Sequence, residues 1–178
     1  MSFQNVTKLE KKLAKFYNAP YAVAVDCCTH GVELCLRYSK DKAITVPKRT
    51  YLSIPFLAHK LNIELKWKDE DWIDYYYLTD RVIDAAVLWK KDSYIPGTFM
   101  NISFQFQKHL SLGRGGVILT DSKEAAEQLK MMTYDGRIPE TANKGLLKWD
   151  EAVKTQPKQW VVSDWPDLTQ MDIFKNSL

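Results

Sequence analysis

The residue of this 178-residue chain best placed to do chemistry is Lys108, in the stretch Ser103-Phe-Gln-Phe-Gln-Lys108-His-Leu-Ser-Leu-Gly-Arg-Gly-Gly116. The largely apolar run 99–106 reads as a buried strand, and Gly116-Val-Ile-Leu-Thr120 as its partner after a glycine turn. Lys108 then sits on the connecting loop. A lysine held beside a packed sheet loses hydration, its pKa falls, and the neutral amine can attack a carbonyl. The residues alone leave an ordinary surface-loop lysine equally open.

Two further positions carry chemical potential. Tyr21-Ala-Val-Ala-Val25 reads as a strand, and after Asp26-Cys27-Cys28 a helix is expected to open at Thr29. A helix N-terminus presents unpaired backbone N–H groups and the positive end of its dipole, so a turn of this kind can hold a phosphate, or Thr29 can simply cap the helix. Asp84 ends the run Arg81-Val-Ile-Asp84, where open α/β sheets place ligand contacts.

The elements that must position these residues follow from periodicity. Val6, Leu9, Leu13, Phe16 and Tyr17 recur at helical spacing, so about 5–17 is an amphipathic helix stopped by Asn18-Ala-Pro20. Ala43-Ile-Thr-Val46-Pro47 is a strand leading to a helix with Pro55 near its first turn, and 63–67 alternates as a strand should. Asp121-Ser-Lys-Glu124 opens a helix through about Met132 in the manner of a capping box. Strands alternating with helices define an α/β class with a mainly parallel sheet. From Ile138 the pattern weakens, and Trp149, Trp160 and Trp165 lie among charged and turn residues, as in an extended or partner-packing arm.

Composition narrows the functional classes. With 46% hydrophobic residues the chain can bury a core as one domain, with or without a small appendage. It contains no apolar run long enough to span a membrane and no signal-peptide pattern, so a cytoplasmic protein without membrane partners is expected. Cys27, Cys28 and Cys35 lack metal-site spacing, and no metal is expected. The net charge of +3 is spread among interleaved acids and lysines, which argues against a nucleic-acid footprint.

Taken in order, Tyr21-Ala-Val-Ala-Val25 with Cys28-Thr29, Val46-Pro-Lys-Arg-Thr-Tyr-Leu-Ser53, Asp84-Ala-Ala86, and Ser103-Phe104 with Lys108 and Gly113-Arg-Gly-Gly116 resemble the DegT/StrS-type family of pyridoxal-phosphate-dependent sugar aminotransferases. Tyr134-Asp-Gly136-Arg137 matches a short glycine-arginine turn of that family. The resemblance covers Val6 to about Arg137, and the compressed chain is similar to shortened homologues of bacteriophage genomes. It implies a three-layer fold of the fold-type-I aminotransferase kind, truncated, with the small C-terminal domain missing. Residues 1–137 would form the cofactor domain and 138–178 a tail or dimer-packing arm.

The resemblance also implies roles. Lys108 would carry pyridoxal 5′-phosphate as a Schiff base, and Asp84 would pair with its pyridine nitrogen. Cys28, Thr29 and Ser103 would hold the phosphate, and Tyr51 would stack on the ring. An amino acid, glutamate by analogy, would donate an amine to a keto-sugar nucleotide in a homodimer. Two departures stand out. Val87, three after Asp84, replaces a polar residue near the cofactor's phenolic oxygen, and Cys28 replaces the glycine before Thr29. A degenerate aminotransferase-fold binding or regulatory module without catalysis, with or without cofactor, is the alternative.

Overall fold

The computed structural model describes residues 4–134. The order is α1 (Gln4–Tyr17), β1 (Tyr21–Val25), α2 (Cys28–Ser39), β2 (Ala43–Pro47), α3 (Ser53–Leu61), β3 (Glu64–Lys68), β4 (Tyr76–Tyr77), β5 (Val82–Asp84), β6 (Phe99–Ser103), β7 (Gly116–Thr120) and α4 (Lys123–Met132). The expected arm 138–178, with its three tryptophans, lies outside the described residues, as does most of the 134–137 turn.

Five strands form one sheet in the order β1-β7-β6-β5-β4, and β2 and β3 pair in parallel beside it. β5 and β6 are parallel, while β7 runs antiparallel to both β1 and β6, so β1, β5 and β6 share one direction. Their carboxyl ends therefore open at one edge, where ligand sites of α/β sheets are found.

Strand alternation sorts the core into two layers. Ile83, Met100, Ile102, Val117 and Leu119 face α1, where Leu13 and Tyr17 are buried. Val23, Val82, Phe99 and Ile118 face the other way, packing with Val32 and Cys35 of α2 and Leu129 of α4. The result is the expected three layers, helix on sheet on helices. Alternation also sends Asp84 and Ser103 to the α2 face, because Val82 and Phe99 are their same-face neighbours. The glycine loop permits the close fit there. A Cβ on Gly116 would stand 2.8 Å from the backbone nitrogen of Cys28, and Gly115 adopts φ +134°, a value side chains disfavour.

Three expectations need correction. The strand after Gly97 stops at Ser103, because the next residues turn and Phe106 is 63% exposed. α2 begins at Cys28 with Cys27 as its N-cap, so Thr29 lies inside the first turn and does not cap it. In α4 the cap is Ser122, whose hydroxyl accepts from Ala125 N at 3.1 Å; with alanine at the reciprocal position, no capping box forms. β3 is a strand as expected, but it is largely exposed at the edge of its pair.

Candidate active site

A cleft of about 480 Å³ lies at the carboxyl ends of β1, β5 and β6. Its lining includes Cys28, Thr29, Tyr51, Asp84, Ser103 and Lys108, all six residues singled out from the sequence. Four separate segments deliver them: the start of α2, the loop before α3, the end of β5, and the end of β6 with its following loop.

At the start of α2, Cys27 makes no side-chain capping bond, so the first backbone N–H groups have no side-chain partner from the cap. Cys28 turns its thiol into the core, where burial pushes its pKa well above the usual thiol range, with the nearby Asp84 charge acting in the same direction. It therefore offers the cleft a backbone N–H and no negative charge. The Thr29 hydroxyl bonds that of Ser53 at 2.8 Å, joining α2 to α3. Ser103 is buried at the end of β6, and its Oγ accepts from Gln105 N at 3.3 Å. Backbone N–H groups and hydroxyls thus converge on one end of the cleft, a donor set suited to an anion.

Asp84 occupies another wall. It is 5% exposed, Oδ2 accepts from the Tyr76 hydroxyl at 2.7 Å, and Oδ1 accepts from Ala86 N at 3.0 Å. Burial raises its pKa, against the opposing pull of Tyr76, Ala86 and the Lys108 charge. Lys108 is half-buried on the loop that follows β6, and its amide donates to Gln105 O at 2.8 Å. The Tyr51 ring is 70% exposed beside the cleft, leaving it open to stack against a planar ligand. Val87 lines the same space, 37% exposed and without a hydrogen-bonding side chain.

Sequence reading misses Tyr76, Ser53 and His30 as members of this site. Tyr76 stands in a run of three tyrosines, and only its pairing across from Asp84 gives it meaning. Asp26, Cys27 and His30 bring three potential metal-ligand atoms within 4.8 Å of one another. Asp26 is already committed, through Oδ1 to His30 Nδ1 at 2.6 Å and through Oδ2 to Arg114 at 2.8 Å. Asp26 thus links His30 and Arg114 in an ion-pair network beside the cleft, which His30 lines.

Residues 1–87 match the model of the DegT/DnrJ/EryC1/StrS aminotransferase family. No curated protein matches the chain. Among solved structures, 3-amino-5-hydroxybenzoic acid synthase superposes with a TM-score of 0.62 at 19% identity, covering 75% of this chain and 47% of that one. DesI, solved in the presence of its TDP-sugar product, gives 0.58 at 16% identity, covering 71% and 44%. GDP-4-keto-6-deoxymannose-3-dehydratase, with a trapped PLP-glutamate geminal diamine, gives 0.55 at 16% identity, covering 74% and 47%. These likenesses are of fold, and the chain spans just under half the length of each of these proteins.

Proposed function

From the premise that residues 1–87 carry the pattern of the DegT/DnrJ/EryC1/StrS aminotransferase family, we propose that this chain is a pyridoxal-phosphate-dependent aminotransferase. The observation that carries the reading is the convergence on one cleft of an amine, a buried carboxylate, an exposed aromatic ring and an anion-binding helix start. Each matches one part of the cofactor. The N–H groups of Cys28 and Thr29, with the hydroxyls of Thr29 and Ser103, suit the phosphate. The Asp84 carboxylate, buried and held by two hydrogen bonds, suits a protonated ring nitrogen, and Tyr51 suits the ring face.

When bound, pyridoxal phosphate supplies a carbonyl reactive toward amines and a ring that accepts electrons. Lys108 provides the nucleophilic amine at Nζ and, once released, takes and returns a proton there. Asp84 would pair with a protonated ring nitrogen. The amino donor we propose is an amino acid, glutamate by analogy with the family. The acceptor we propose is a keto-sugar nucleotide, a class in keeping with the TDP-sugar bound to DesI.

The alternative of a binding module without catalysis draws on Val87, which lines the cleft and offers no hydrogen bond. An absorbance spectrum of purified protein with added pyridoxal phosphate separates the two. The aminotransferase reading predicts a visible band that disappears when an amino-acid donor is added. A band that persists with every donor, or no band at all, contradicts the aminotransferase reading and supports the binding module.

A further inference from the structure

The geometry points to Tyr76 as a positioning residue for Asp84: from the facing strand its hydroxyl clamps one carboxylate oxygen, so that the other face of the carboxylate stays turned to the cleft as an ionised anchor. The inference rests on the proposed cofactor reading and extends it to a residue outside the sequence motifs singled out above.

The clamp is a product of strand register. β4 and β5 pair antiparallel with Tyr76 directly opposite Asp84, which places both side chains on the same face of the sheet. The phenol donates its one proton to Oδ2 at 2.7 Å, and Thr50 Oγ1 lies 2.5 Å from the same phenolic oxygen. Because the Tyr76 proton is committed to Asp84, the Thr50 hydroxyl is the donor in that second bond. A chain runs from Thr50 through Tyr76 to Asp84, and donors in series polarise one another. Ala86 N fills one position on Oδ1. An ionised carboxylate offers about four acceptor positions, so each oxygen keeps room for a ligand donor.

Burial alone would drive this carboxyl toward its neutral form, and a neutral carboxyl is a poor partner for a protonated ring nitrogen. The groups that face Asp84 are Tyr76 from β4, Cys28 from α2 and Lys108 from the loop after β6. Cys28 is neutral, and Lys108 is the residue consumed by the cofactor. Tyr76 is therefore the side-chain donor that remains in place, beside the Ala86 amide, when Lys108 has been used. Its own phenol is held protonated, since burial and the Asp84 charge both push its pKa up. Its ring packs edge-on against Trp72 with centroids 4.9 Å apart, which fixes the hydroxyl's aim.

The test compares wild type with Tyr76→Phe and Thr50→Val in the full chain. Phenylalanine keeps the ring contact with Trp72, and Thr50→Val alters the chain from its outer end should the first variant fold poorly. Carbon-13 NMR of aspartate-labelled protein without cofactor, with Asp84 assigned by Asp84→Asn, reads the carboxyl directly. Loss of a hydrogen bond to a charged group predicts about a tenfold rise in the proton affinity of Asp84 in Tyr76→Phe, and a smaller rise in Thr50→Val. Pyridoxal-phosphate affinity should fall by a similar factor, with the loss growing as pH drops. An unchanged Asp84 titration, or a shifted titration with unchanged cofactor affinity, overturns the assignment. Failure of the cofactor reading shows itself separately, as a wild-type protein that takes up no pyridoxal phosphate.

Discussion

Asp84 illustrates how one position acquires its chemistry. A carboxylate buried to 5% exposure is costly unless its oxygens are satisfied, and here the Tyr76 hydroxyl and the Ala86 amide do so. Replacing it with alanine should leave Lys108 able to form its covalent adduct with pyridoxal phosphate while slowing half-transamination by at least about a hundredfold, consistent with loss of a charge that acts mainly in the transition state. Stopped-flow spectra with an amino-acid donor check this, and unchanged rates would remove Asp84 from the site. Lys108 and Asp84 are legible in the sequence because each follows an apolar run that becomes a strand, and the end of a strand is where side chains reach the cleft. Tyr76 is illegible because its significance depends on a cross-strand register made across the turn 78–81. Thr29 is half-legible: its place beside the cleft follows from the strand-turn-helix pattern, but its hydroxyl bonds Ser53, a partner 24 residues away.

At the scale of elements, α2 is the one on which the site depends. Gly31 lets it approach β6, since a Cβ there would stand 2.7 Å from the Asn101 side chain. Glu33, almost fully buried, pairs with Arg37 at 2.9 Å and Lys60 at 3.0 Å, which ties α2 to α3 and so sets Thr29 against Ser53. Glu33→Ala should cost about 2–3 kcal/mol by leaving two half-buried cations without their anion, measurable as a lower urea midpoint. His30 and Asp26 add a pH dependence. The hydrogen bond that His30 donates to Asp26 pushes His30 up to about 9 from 6.5, so that contribution is complete below pH 6.5 and fades as pH rises through 9. Asp26 is held near 2, below its usual 3.8, because the bonds to His30 and Arg114 outweigh its burial, so its contribution fades only as pH falls from 3.8 toward 2. Thermal midpoints of wild type should decline between pH 6.5 and 9 relative to His30→Gln. Parallel pH curves for the two proteins would show that the pair does not stabilise the fold.

At the scale of the molecule, the described residues build a three-layer fold with its cleft at one sheet edge, and the layers are readable in advance because strands buried on both faces leave near-continuous apolar runs. The two-residue β4 is less legible, since a pair of tyrosines is too short to show a period. Tyr51, which lines the cleft, is exposed, as are Leu52 and Phe106, apolar area that a second copy of the chain would cover. We therefore expect a homodimer, with sedimentation at low concentration as the check; a monomer that retains the cofactor would contradict a shared site. The most direct test of the central claim is chemical. Purified protein is incubated with pyridoxal phosphate, reduced with borohydride, digested and mapped by mass spectrometry. The account predicts a single pyridoxyl adduct, at Lys108, absent in Lys108→Ala; an adduct at another lysine, or none, would contradict it.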